Sequence, residues 1–242
     1  MSKPAGIWVA QCAWPEVEAR LQAGAIAVLP VGAGAKEHGH HLPLDTDFTQ
    51  AEWLARALVE RLPVAVWPTL SYGYYPVFVQ YPGSISLSPS TFEMLAREIV
   101  TGILHTGARH VALLNTGIST IKPLQAALAG VESGRATLIN VYAGPAFTAA
   151  VQAVEEQPFG GHADEIETSI MLAIAPERVD MSRAVAADKH IERGMFNRLD
   201  PKGPNYSPSG VNGDATLATR AKGERLLAAM LDDVLAVMAT LA

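Results

Sequence analysis

The chain has 242 residues, 49% of them hydrophobic and 17% charged, with a formal net charge of −6. That is apolar material enough for one large domain over residues 1–242, and two domains are not required. No basic run is visible, which argues against nucleic acid or an anionic membrane as partner, and Cys12, the only cysteine, rules out an intrachain disulfide and a thiolate metal cluster.

The first residues lack a basic segment followed by a long apolar core. The longest apolar runs fall far short of a membrane span, so a soluble cytoplasmic protein is the expectation. Pro15-Glu16-Val17-Glu18 reads as the first turn of a helix running to Leu21. Residues 25–32 are a short apolar run closed by glycine, which predicts a buried strand. After a polar stretch at 34–47, Thr46 or Asp47 can cap a helix over roughly 48–62, where Phe48, Ala51, Leu54, Ala55, Leu58 and Leu62 keep helical spacing. A second strand is predicted from 64 to 68. A loop rich in Gly, Pro and aromatics follows, from 71 to 87. Ser88-Pro89-Ser90 opens a helix to about 105, with Glu93 at capping-box distance from Ser90. A third strand over 109–115, a helix from Ser119 or Thr120 to about 132 and a fourth strand over 137–142 come next. Asp164 is a plausible cap for a helix to about 175. Residues 181–208 are polar and aperiodic, as in a lid or an oligomer contact, and a last helix runs over roughly 217–241. Strands alternating with helices predict an α/β fold, a three-layer α/β/α sandwich on a mostly parallel sheet. In such sheets ligands bind beyond the carboxyl ends of the strands. The stretch at 34–47 and the segment after Asn115 both lie there.

Three of the seven histidines, His38, His40 and His41, fall within four positions, flanked by Glu37, Asp45 and Asp47. Imidazole and carboxylate are the usual ligands of a divalent metal. The competing reading is a solvated polar loop. A second cluster surrounds His162, which follows the glycine pair Gly160-Gly161 and precedes Glu165 and Glu167. There the alternative is that the carboxylates only satisfy the first turn of a helix.

These motifs resemble the creatininase (creatinine amidohydrolase) family. Lys36-Glu37-His38-Gly39-His40-His41-Leu42-Pro43-Leu44-Asp45-Thr46-Asp47, after Pro30-Val31-Gly32, is similar to that family's Glu-Gln-His-Gly-Pro-His-Leu-Pro-Leu-Gly-Thr-Asp. Tyr81-Pro82-Gly83-Ser84, Gly160-Gly161-His162-Ala163-Asp164-Glu165-Ile166-Glu167-Thr168-Ser169 and Gly210-Val211-Asn212-Gly213-Asp214 match further family runs. The resemblance implies that His38 is a metal ligand, that Asp47 bridges two metals and that His162 assists proton transfer. It also implies a pocket shaped by the 71–87 loop, where Tyr75 and Phe78 stand in place of a Ser and a His. Three ligand positions depart from the pattern: Lys36 replaces a glutamate, Gly117 a histidine and Ser119 a glutamate. The family's two-metal site therefore cannot form from the matched positions.

The expectation is a hydrolase acting on an amide or cyclic amide C–N bond of a small molecule. It would use one zinc or manganese ion rather than two, held by Glu37, His38, Asp47 and one of His40, His41 or Glu167. His162, Glu167 and Lys36 are the expected catalytic groups; Tyr75, Phe78 and Ser119 would meet the substrate. The alternative is a relative without the metal centre, which binds a small molecule, serves in assembly, or uses Lys36 in metal-free chemistry. The resemblance further implies a homo-oligomer, a trimer or hexamer.

Overall fold

The apolar run before the polar stretch becomes the middle strand of the molecule. In the computed structural model, which describes residues 4–191 and 194–241, the elements are β1 (Ile7–Trp8), α1 (Trp14–Gln22), β2 (Ile26–Val31), α2 (Thr46–Arg61), β3 (Val64–Val66), α3 (Pro89–His105), β4 (Val111–Asn115), α4 (Ile121–Ala129), β5 (Ala136–Asn140), α5 (Pro145–Val154), α6 (Glu165–Ile174) and α7 (Arg220–Ala239). The sheet order is β1-β3-β2-β4-β5, with every pairing parallel.

Alternation along the strands sorts the core into two layers, as a period of two requires. Val28, Val64, Val66, Ala112 and Leu114 pack against α2, α5, α6 and α7. Ala27, Leu29, Val31, Ala65, Val111 and Leu113 face α1, α3 and α4. Both faces are covered, so β2, β3 and β4 are apolar up to Asn115, the last residue of β4. Pro30 is tolerated in a central strand because it faces the β3 side, where pairing has already ended at Val66. Its carbonyl accepts from the Leu70 N–H at 2.9 Å.

The predicted strands and helices occur within a few residues of their expected ends. Two elements are additional: edge strand β1 and helix α5. The caps also differ. Asp45, not Thr46 or Asp47, is the N-cap of α2, and it makes no side-chain capping bond. Ser88 rather than Ser90 caps α3, accepting from the Thr91 N–H, while Glu93 pairs with Arg97 one turn on. Asp164 does cap α6, accepting from the N–H groups of Ile166 and Glu167. Residues 181–191 and 194–219 carry short 3-10 turns and isolated bridges rather than α-helix or strand, and Asn212 pairs with His162.

Candidate active site

The connection leaving β2 runs to β3 on one side, and β4 lies on the other, so the sheet's switch point falls between β2 and β4. A cavity of about 330 Å³ lies at this end, lined by Lys36, Phe78, Thr116, Ser119, His162 and Glu167 among others. The β2 loop supplies Lys36, Glu37 and His38; the first turn of α2 supplies Asp47. Thr116, at the end of β4, ties the two together by donating to the carbonyls of Val31 and Asp47 at 3.1 and 3.0 Å. His162 lies on the loop before α6. Its N–H and C=O pair with Asn212, which the 181–219 segment brings across. Ala163 beside it has φ +49°, a left-handed conformation costly for a residue with a Cβ. Its N–H donates to Glu167 Oε2 at 2.6 Å, which helps hold that conformation.

Two buried charge pairs organise the site. The Lys36 ammonium is 2.8 Å from Asp47 Oδ2, with side chains 8% and 0% exposed. Burial opposes the charge on both, but each offsets it for the other. Asp47 and Glu167 hold the ammonium above its ordinary value, and Lys36 and His38 keep Asp47 below the usual carboxylate range. The second pair is Glu37 with His162, Nε2 to Oε1 at 2.7 Å. Against burial, Glu37 raises the His162 imidazole above its usual value, and His162 lowers Glu37. Gly39 N–H donates to the same carboxylate at 2.8 Å, and Ser84 Oγ accepts from the Glu37 N–H at 2.9 Å.

The ring nitrogens can be assigned from their carbonyl partners. His38 Nδ1 is 2.9 Å from the Lys36 carbonyl, and His162 Nε2 is 2.9 Å from the Glu37 carbonyl. A carbonyl only accepts, so each of these nitrogens carries a proton. The other nitrogens face carboxylates: His38 Nε2 donates to Asp47 Oδ1 at 3.0 Å, a proton that an ion at this nitrogen would displace, and His162 Nδ1 lies 3.6 Å from Glu167 Oε2, too far for a hydrogen bond. Ligand atoms of His38, His162 and Glu167 all lie within 4.8 Å of one another.

Two imidazoles and a carboxylate are a donor set of catalytic zinc sites. Imidazole N–H groups tied to carbonyl or carboxylate acceptors are the outer partners such ligands have. Three carboxylates, Glu37, Asp47 and Glu167, share the site with the one ammonium of Lys36, leaving two negative charges over when both imidazoles are neutral. The residues therefore fit one divalent ion. Beside them the ammonium stands on Asp47, Gly117 offers no side chain, and Ser119 donates its hydroxyl to the Tyr74 carbonyl at 2.7 Å.

The structure thus regroups the expected site residues. Glu37 turns to His162, while Asp47 faces both Lys36 and His38. Glu167, expected as a catalytic group and as one of three possible ligands, and His162, expected only as a catalytic group, lie with His38 in one potential donor set. His40 is exposed, and His41 is spent on Thr168 Oγ1 at 2.8 Å. Phe78 and Ser119 line the cavity as expected, but Tyr75 is 2% exposed and packs behind the wall with Ala33 and Tyr81. Sequence reasoning missed Phe196, which meets Phe78 edge to face at 5.3 Å, and Asn212, whose side chain ties to Ile191. The Gly-Val-Asn-Gly-Asp run was the available signal for Asn212; nothing marked Phe196.

A family model described as Creatininase, creatinine amidohydrolase, matches residues 10–238. The chain is 29% identical to the creatinine amidohydrolase of Pseudomonas putida, over 94% of this chain and 93% of that protein. It is 30% identical to a mycofactocin precursor peptide peptidase of Mycobacterium tuberculosis, over 85% of this chain and 81% of that one. Among solved structures, a Zn-Zn type creatininase mutant superposes with a TM-score of 0.79 at 26% identity, covering 98% of both chains.

Proposed function

The chain belongs to the creatininase family, and from that premise we propose that it hydrolyses an amide or cyclic amide C–N bond of a small molecule at a centre holding one zinc or manganese ion. The observation that carries this reading is the convergence of one ring nitrogen each of His38 and His162 with a Glu167 oxygen, all within 4.8 Å of one another, while His38 Nδ1 and His162 Nε2 face backbone carbonyls. These three residues would hold the ion. When bound, it would supply a Lewis acid for the scissile carbonyl and a water of lowered pKa.

The remaining residues set the conditions for that chemistry. Glu37 keeps a proton on His162 Nε2, so Nδ1 is the nitrogen presented to the centre. Lys36 pairs with Asp47 and also lines the cavity, where its N–H groups can donate to a substrate oxygen that gains negative charge. Phe78, 4.2 Å centroid to centroid from His162, and Phe196 exclude water from one side. Creatinine is not the proposed substrate, because Ser119 stands where the resemblance expects the glutamate matching that activity. Among the described residues no helix is long and apolar enough to cross a membrane. Exposed Leu44, Val79 and Ile85 are apolar surface compatible with a homo-oligomer, a trimer or hexamer, which light scattering would measure.

The test is metal content of untagged protein after loading with Zn²⁺ or Mn²⁺ and dialysis, followed by hydrolysis assays on a panel of amides and lactams. His38→Ala and Glu167→Ala should each lose the ion. Glu37→Gln should weaken binding by about 10–100-fold, as loss of an outer partner does. Unchanged content in both alanine variants would sink the assignment.

A further inference from the structure

Asp47 presents its two oxygens to different neighbours. Oδ1 is 3.0 Å from His38 Nε2, on the side of the three-donor centre, and Oδ2 is 2.8 Å from the Lys36 ammonium. The carboxylate thus stands between the imidazole that belongs to the donor set and the ammonium that does not. The ammonium is buried, with Glu37 and Glu167 adding to its attraction and the Tyr75 and Phe78 rings 5.9 and 5.2 Å away. No displacement of the backbone is needed to bring it there. The loop holds Lys36 in place through its N–H to the Leu44 carbonyl at 3.0 Å and its own carbonyl on His38.

We propose that the Lys36 ammonium occupies, as a covalently attached monovalent cation, the place a second divalent ion would take on Asp47, and that it is the residue limiting how many ions this chain holds. The inference rests on the one-ion reading for what lies across the carboxylate, but not for the place itself. The ammonium supplies one charge where an ion would supply two, cannot be removed by a chelator, and leaves no coordination position for water. Any nucleophilic water must then be recruited on the His38–His162–Glu167 side.

The test is a count of bound ions in the untagged full chain, in the wild type, Lys36→Glu and Lys36→Arg. Each is loaded with Mn²⁺, dialysed, assayed by mass spectrometry and examined by electron paramagnetic resonance. Lys36→Glu should hold one more ion per chain than the wild type, with the spectrum broadened by exchange between two neighbouring ions. Lys36→Arg keeps the cation and should match the wild type. A wild type with no ion and a Lys36→Glu variant with one would uphold the role of Lys36 and remove the one-ion reading. Equal counts in wild type and folded Lys36→Glu, or two ions in the wild type, would overturn the proposal. If Lys36→Glu does not fold, Lys36→Gln serves instead: Mn²⁺ should raise its melting temperature more than that of the wild type, and an equal or smaller rise would refute the assignment.

Discussion

Replacing Lys36 by methionine keeps most of the buried stem and deletes the ammonium. At 2.8 Å from Asp47 and an effective dielectric of about 20, the lost attraction is on the order of 6 kcal/mol. Much of that only offset the desolvation of two charges. What governs the variant is the carboxylate left behind, 0% exposed and facing one remaining ring partner. Half of a buried pair costs about 3–5 kcal/mol, against a typical total stability of about 5–15 kcal/mol. For a chain of this size the melting temperature should fall by roughly 6–20 °C. Adding Asp47→Asn removes the stranded charge, so the double variant should recover at least about 1 kcal/mol. Urea unfolding followed by tryptophan fluorescence, with chelator present, measures all three. A single variant within 1 kcal/mol of wild type, or a double variant no better than Lys36→Met, would show that the pair is not the closed unit described.

Glu37→Gln should lower stability in a pH-dependent way. The lowered Glu37 contributes fully above 4.5 and the raised His162 fully below 6.5, so the contribution is whole between those values and fades as rising pH deprotonates His162. The gap between wild type and variant, from urea midpoints at about pH 6 and about pH 9, should narrow at the higher value. An unchanged gap would contradict the pairing. His41, held down to about 4 by burial first and then by His38, contributes stability above 6.5 that is lost as pH falls toward 4, up to about 3 kcal/mol. Urea midpoints of His41→Leu should therefore depend less on pH across that range than those of the wild type. Gly210 has φ +81°, and a Cβ there would strike the Glu37 carboxylate. Gly210→Ala should thus lose more than the ~1–2 kcal/mol of a left-handed alanine, and calorimetry should show it well below Gly107→Ala, where φ is +102° but nothing lies within 4 Å. Ala163→Gly should be neutral or stabilising by up to about 1 kcal/mol, and Ala163→Val destabilising by more than 2 kcal/mol, because only the glycine relaxes the positive φ; thermal melts with the opposite order would refute strain there.

Local patterns carried most of the fold. The apolar run at 26–31, the glycine closing it and the helical spacing from Ala51 to Leu58 each encode their element without help from the rest of the chain. Helix α5 was passed over because its alanines and valines mark no polar face, and β1, two residues long, is a strand only because β3 lies beside it. The site divides in the same way. The motifs singled out His38, Asp47 and His162, which lie on the loop after β2, in the first turn of α2 and on the loop before α6. Which carboxylate serves which cation was not legible from them. Glu37 and Asp47 are both near Lys36 in sequence, and the choice between them is made by His162, 125 positions away. Asp47 could be read as a cap because it opens a helix, but its carboxylate turns to the ammonium and imidazole that the β2 loop places above it.

The long separation between Glu37 and His162 has a consequence for biosynthesis. At roughly 5–20 residues per second, about 6–25 s pass between the emergence of the first partner from the ribosome and that of the second. Through that interval Lys36, Glu37, His38 and Asp47 lack the α6 loop and Asn212, the groups that later cover them. A stretch with so many charges and no lid is a poor folding nucleus; the β2–β4 pairing, with its apolar helices, can form without it. The site should then close after the β2–β4 pairing has formed, once His162 and Asn212 have reached it.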